Sequence, residues 1–241
     1  MNIKTDLHCH SIVSDHAFST IMENIICARK AGLEAIAITD HGTALGDAPH
    51  KFYYPSFVKL PDVVNEVRLL KGCEVNILNN KGELDLNNEI LSTMDIVIAS
   101  VHNPFYADAS EDGDNTDMYL KVLENPYVDI LGHSGNPKCK YNIEKVLKTA
   151  KKLGKFIEIN ENTFAVRPMN TELCRQIALM AKQIGTHIVV NSDAHFCTNV
   201  GVLTQSIKML REIDFPESLI ANTNYEKLKE LFKPRKNLWG D

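Results

Sequence analysis

NIEKVLKTAKKLGKFIEIN, residues 142–160, reads as a helix that runs directly into a strand. Ile143, Val146, Leu147, Ala150 and Leu153 recur at the three- and four-residue spacing of one helical face, Gly154 supplies a left-handed stop, and KFIEIN is a short apolar run. The arrangement occurs twice more. Thr20 and Glu23 have capping-box spacing at the head of a helix from about Ser19 to Gly32, with Ile21, Met22, Ile25 and Ile26 on one face, followed by EAIAIT at 34–39. A third helix spans Thr171 to Ile184, stops at Gly185 and precedes HIVVNS. Apolar runs in IKTDLH, KGCEVNI, DIVIASV and VDILG bring the expected strands to seven. Strands separated by crossover segments pair in parallel, and seven or eight such units in 241 residues fit a closed α/β barrel in one domain, 1–241, better than an open doubly wound sheet.

Composition narrows the functional classes. With 44% apolar and 24% charged residues the chain can bury a sizeable core. No apolar run approaches the roughly 18 residues that span a bilayer, and MNIKTDLHCH turns polar too early for a signal sequence, so a soluble, cytoplasmic protein is expected. A net charge of −5 argues against a surface for nucleic acid or anionic membrane. The six cysteines have no C-x-x-C spacing and are expected to be reduced thiols. Scattered surface hydrophobics leave the oligomeric state open. Two long irregular stretches stand out: residues 43–60, with four aromatics that could cover a pocket, and the acidic 103–115.

Laying the polar residues on the strand list gives a pattern. His8 and His10 end the first strand, His41 follows the second, Glu74 lies in the third, His102 follows the fourth, His133 the fifth, and Asp193 and His195 the last. In a parallel barrel those ends open on one face, so residues distant in sequence converge. Side chains two apart on a strand point the same way, which lets His8 and His10 reach one ion while Cys9 turns aside. Imidazoles mixed with one or two carboxylates suit zinc first, with manganese or iron as alternatives. Only the sixth strand, with Glu158, Asn160 and Glu161 nearby, lacks an obvious ligand. Asp6 and Asp40 are expected to orient neighbouring imidazoles.

DLHCHSIVSDHA, ITDHG, KGCEVNI, VHNP, GHSGNPK and NSDAH together resemble the motifs of the PHP (polymerase and histidinol phosphatase) superfamily, over essentially the whole chain. His16, DAPH at 47–50 and EINENTF at 158–164 are most similar to its YcdX-type phosphatase branch. The resemblance implies a distorted (β/α)7 TIM-like barrel with three ions: one on His8, His10, Glu74 and Asp193, a second on Glu74, His102 and His133, a third on His16, His41 and His195. It further implies a metal-dependent phosphomonoesterase for a small phosphorylated compound, with a metal-bridging hydroxide as nucleophile and Glu74, Asp193 and His195 at the catalytic centre. Three divalent ions against two carboxylates leave a cationic pocket suited to phosphate. The group that protonates the leaving alkoxide stays unassigned among bound water, Asp193 and a histidine. Arg167 and Lys138 are candidates to grip phosphate, and His50 to line the entrance, whereas His187, at a strand start, has a structural role. Two alternatives remain. Amidohydrolase-type amide hydrolysis also uses H-x-H, but DIVIASVH lacks the strand-four lysine of that family. A non-catalytic PHP module is the other.

Overall fold

The computed structural model describes residues 1–46, 48–50, 52–102 and 113–232. Most of the acidic 103–115 stretch therefore lies outside the described residues, as does Asp47 of DAPH. Seven parallel strands are joined edge to edge: β1 (Thr5–Cys9), β2 (Ala35–Ile38), β4 (Val67–Asn76), β5 (Ile96–Ser100), β6 (Ile130–Leu131), β7 (Phe156–Asn160) and β8 (Ile188–Asn191). The two-residue β3 (Val63–Val64) folds back antiparallel on β4, an addition that the apolar pattern does not announce. Between strands run α1 (Ile21–Lys30), α2 (Asn88–Leu91), α3 (Thr116–Glu124), α4 (Ile143–Leu153), α5 (Asn162–Val166) and α6 (Thr171–Ile184), followed after β8 by α7 (Thr204–Glu212) and α8 (Tyr225–Leu231).

The expected punctuation holds. Thr20 caps α1 with a complete capping box, and Gly154 and Gly185 end α4 and α6 at φ 68° and 75°, where a Cβ would be strained. The face assigned to α1 needs correction: Ile25 and Ala28 pack against Ile36 and Ile38 of β2, whereas Met22 and Ile26 are 49% and 39% exposed. An apolar side chain on a short helix does not by itself say which way the helix is rolled.

Strand alternation splits the core in two. Outward residues such as Val97, Leu131, Ile159 and Val190 meet α3, α4 and α6. Inward residues, among them Ala35, Leu70, Ile98, Ile130, Phe156 and Val189, fill the lower barrel with Leu228 of α8 beneath them. Above that apolar layer the inward positions turn polar, at Glu74, Asn76, Ser100, Glu158, Asn160 and Asn191, all buried. Gly132 allows this layer to close, because a Cβ there would lie 2.1 Å from Ser100 Oγ.

The barrel is nearly closed. At the top, β1 meets the segment that follows β8 through the Cys9–Ala194 bridge. Lower down the seam is filled by residues 220–223: Asn222 donates from Nδ2 to Thr5 O (2.9 Å) and Val190 O (2.8 Å) and accepts from Val190 N (2.9 Å), all fully buried. One amide thus replaces a missing strand. Asn222→Ala leaves two carbonyls and one N–H without partners, at about 1 kcal/mol or more each. We expect it to lower stability by roughly 3 kcal/mol, read as a lower urea midpoint at unchanged slope.

Candidate metal centre

Glu74 sits in the middle of the polar layer with neither oxygen exposed to solvent. Its Oε1 lies 2.9 Å from His133 Nε2 and 3.4 Å from His102 Nε2. Its Oε2 lies 3.0 Å from His41 Nδ1, 3.2 Å from His8 Nε2 and 3.5 Å from His10 Nε2. Across the bowl, Asp193 Oδ1 is 3.2 Å from His10 Nε2 and 3.5 Å from His8 Nε2. Toward the mouth, His16 Nε2 is 3.2 Å from His41 Nε2 and 2.9 Å from His195 Nε2. All nine residues singled out from the sequence converge on this bowl. Among the described residues three sets of ligand-type atoms are close enough to share an ion: His8, His10 and Asp193; His41, Glu74 and His102; His10, His41 and His195.

The arrangement fits a metal for a reason internal to the structure. His8 Nε2, both ring nitrogens of His10, His41 Nδ1 and Glu74 Oε2 are buried and form no aligned hydrogen bond. Orphaned polar atoms on that scale are costly unless a cation satisfies them together.

Local backbone features aim these groups. The β1–β2 register shifts between Asp6 and Cys9, so Leu7 packs in the barrel interior while the adjacent His8 also faces the centre, and Cys9 turns out to meet α1. His133 and Asp193 take left-handed backbone conformations, at φ 23° and 54°. That strain is tolerated where the surroundings hold a side chain on a target.

Glu158, which appeared to leave the sixth strand without a role, accepts from His8 Nδ1 at 2.7 Å and is held by Asn191 Nδ2 (2.9 Å) and His133 N (2.8 Å). It fixes the His8 tautomer so that Nε2 faces Glu74. Asn76 Oδ1 does the same for His102 Nδ1 at 2.7 Å. The expectation for Asp6 and Asp40 fails. Asp6 accepts from Ser192 N and Gly201 N, and Asp40 from Ser11 N, Ser11 Oγ, Ser14 Oγ and Tyr53 OH. Neither touches an imidazole; they anchor the loops that carry His195 and His16. Glu158→Gln is expected to weaken metal binding about 10- to 100-fold with the fold retained, measured by competition with a chromogenic chelator.

The electrostatics are uneven. Burial disfavours charge on Glu74 and Asp193, yet the imidazoles around them, His8 above all, hold both carboxyls well below the usual range. Burial opposes protonation of His8 as well, but Glu158, Glu74 and Asp193 outweigh it and raise His8 well above an ordinary histidine. His10 goes the other way, lowered by burial and by His41.

Beside these groups lies a cavity of about 540 Å³ bordered by Leu45, Val101, Val166, Arg167, Lys138 and Met169. Arg167 NH1 reaches within 3.7 Å of Asp193 Oδ2, and Lys138 stands at the mouth. His50 is not brought in: it is exposed against Phe52 and does not line the cavity. Among the described residues of the 43–60 stretch only Leu45 borders this cavity, while Tyr54 and Phe57 are core. His187 packs on Phe156 at the opposite end of β8.

The model of the PHP domain matches residues 6–163. A probable phosphatase of Caldanaerobacter subterraneus is 42% identical over 242 residues, covering 100% of this chain and 95% of the relative. The chain belongs to the PHP domain family. A probable phosphatase of Clostridium botulinum is 40% identical and covers 99% of this chain and 98% of its own length. Among solved PHP-like folds, a histidinol phosphate phosphatase of Lactococcus lactis, complexed with zinc, L-histidinol and phosphate, superposes at TM-score 0.66 with 18% identity, covering 93% of this chain and 98% of that one. A putative histidinol phosphatase of Listeria monocytogenes follows at TM-score 0.58, 15% identity and 84% and 99% coverage. At these identities the likeness shows the barrel fold alone. Among the described residues no helix is long and apolar enough to cross a membrane.

Proposed function

We propose that this PHP protein is a metal-dependent phosphoric monoester hydrolase acting on a small phosphorylated compound. The observation that carries the reading is the set of buried, unpartnered imidazole nitrogens and the Glu74 oxygen that face one another in the bowl. The names of the relatives, the zinc and phosphate of the Lactococcus lactis protein and the cationic rim agree with it.

His8, His10, Glu74 and Asp193 would hold one ion, Glu74, His102 and His133 a second, and His16, His41 and His195 a third, with zinc first among the candidates. When bound, such ions acidify water to a nucleophile at neutral pH and neutralise phosphoryl charge. The chain's own residues do the rest. Glu74 turns Oε1 toward His133 and His102 and Oε2 toward His41, His8 and His10, so its two oxygens would serve different ions. Asp193 stays ionised between His8 and His10, which suits a ligand and not a proton donor to the leaving alkoxide. Arg167, whose NH1 is buried without a hydrogen-bond partner, would hold a phosphate oxygen, and Lys138 would add charge at the entrance.

Release of inorganic phosphate from p-nitrophenyl phosphate by zinc- or manganese-loaded protein tests the reading. Loaded protein that cleaves no phosphomonoester would refute it. Arg167→Ala should raise KM for a phosphomonoester at least about tenfold, the loss of a charge-assisted contact of roughly 1.5–3 kcal/mol. Equal KM values would remove Arg167 from phosphate binding.

A further inference from the structure

A second cavity, of about 520 Å³, adjoins the bowl and shares Asp193 and His195 with it. Helix α5 is the partition: Val166 and the following Arg167 border the bowl, while Asn162, Phe164 and Ala165 border the second chamber. The two spaces differ in charge. Lysine and arginine line the bowl, but among the described residues neither lines the chamber. It is lined by three residues with amide side chains, Asn162, Asn199 and Gln205, by Phe164 and by the half-exposed Val202. The one carboxylate that belongs to the chamber alone, Glu161, is already committed, accepting from Gln205 N (2.8 Å) and Ser206 N (2.7 Å) at the start of α7. Those amides, at the positive end of the helix, offset its charge.

We infer that this chamber receives the alcohol portion of the substrate, and that this portion is uncharged and hydrogen-bonding, as in a pentose monophosphate or a nucleoside monophosphate. The inference rests on the phosphatase reading and narrows it. A phosphate held in the bowl beside Asp193 and His195 projects its ester oxygen toward either the mouth or the chamber. Asn136 and Asn170 border the bowl as well, but among the described lining residues the chamber alone sets three amide side chains beside an aromatic ring, Phe164, on which a sugar or base face can lie, with no lysine or arginine. Among the described residues a second phosphate would find no lysine or arginine there, and an ammonium no uncommitted carboxylate beyond those facing the bowl.

Steady-state kinetics of the zinc-loaded full chain test this with three substrates: ribose 5-phosphate, fructose 1,6-bisphosphate and an aminoalkyl phosphate, L-histidinol phosphate. The neutral-alcohol ester should have the highest kcat/KM. In the double variant N199A/Q205A, KM for ribose 5-phosphate should rise about tenfold, as for the loss of two modest hydrogen bonds. Competitive inhibition by inorganic phosphate, which has no alcohol portion, reports that the bowl is intact. Val202→Lys, at an exposed position, should raise kcat/KM for the bisphosphate. A preference for the bisphosphate or the aminoalkyl ester in the unmodified protein overturns the inference, as does an unchanged KM in the double variant while phosphoesters are still cleaved. If none of the esters, nor p-nitrophenyl phosphate, is cleaved, the phosphatase reading itself falls.

Discussion

Glu74→Gln should abolish turnover, by about 10³-fold or more in kcat/KM, and leave the purified protein with fewer bound ions than the unmodified chain. The substitution keeps the volume of a fully buried side chain and removes only its charge and one acceptor oxygen. Five imidazole nitrogens stand within 2.9–3.5 Å of the Glu74 oxygens. Among the described residues no other carboxylate in the bowl faces both His133 and His10: Asp193 reaches the His8 and His10 side, and Glu158 bonds to His8 on the face turned away from Glu74. An amide nitrogen at that position would point a donor where the proposed cation would sit. If the bound ions together supply several kcal/mol of transition-state stabilisation, and each 1.36 kcal/mol is a factor of ten, losing the bridge accounts for the predicted drop. Metal analysis by plasma emission, run beside the kinetics, is decisive: full metal content with activity within tenfold of the unmodified protein would mean that Glu74 is not a bridge.

Glu74 and seven of the eight residues around it were legible in the sequence because they lie in or just after apolar runs read as parallel strands, whose ends share one face; His16 was singled out by the motif resemblance. The glycine-stopped helices were legible from local sequence as well, since Gly154 and Gly185 impose their own backbone conformation. What escaped is long-range. Glu158 meets His8 across 150 positions of chain, and only the register of β7 against β8 and of β8 against β1 brings them together. Asp6 and Asp40 sit next to ligand residues in sequence, yet their carboxylates turn to backbone amides and hydroxyls, because the loops carrying His16 and His195 have donors that need acceptors. Asn222 could not be anticipated, since the gap it fills exists only once seven strands have curled round. His50 lies in a segment rich in aromatics, but Tyr54 and Phe57 take that segment into the core and leave His50 outside.

Stripping the ions with a chelator should lower the melting temperature by about 8–16 °C without unfolding the protein at room temperature. An ion present at a thousandfold its dissociation constant stabilises the native state by about 4 kcal/mol, and in a domain of this size each kcal/mol moves the midpoint by roughly 2–4 °C. Two features keep the stripped protein folded. The apolar lower layer and the outer helices do not depend on the bowl, and protonated His8 can stand in for part of the missing charge, flanked by Glu158, Glu74 and Asp193. That substitution fixes the direction of the pH dependence. Because His8 in the stripped protein binds its proton more tightly than in the unfolded chain, the stabilisation it gives is complete below the unfolded pKa and fades as pH rises through the raised, folded one. His10 is lowered by burial and is already neutral near pH 7, so it adds nothing in the same sense. The loaded protein needs neutral His8 as a ligand and gains affinity over the same rise in pH. The gap between loaded and stripped melting temperatures should therefore widen from pH 6 to pH 8 in calorimetric scans. A gap that narrows over that interval would show that His8 does not exchange its proton for an ion.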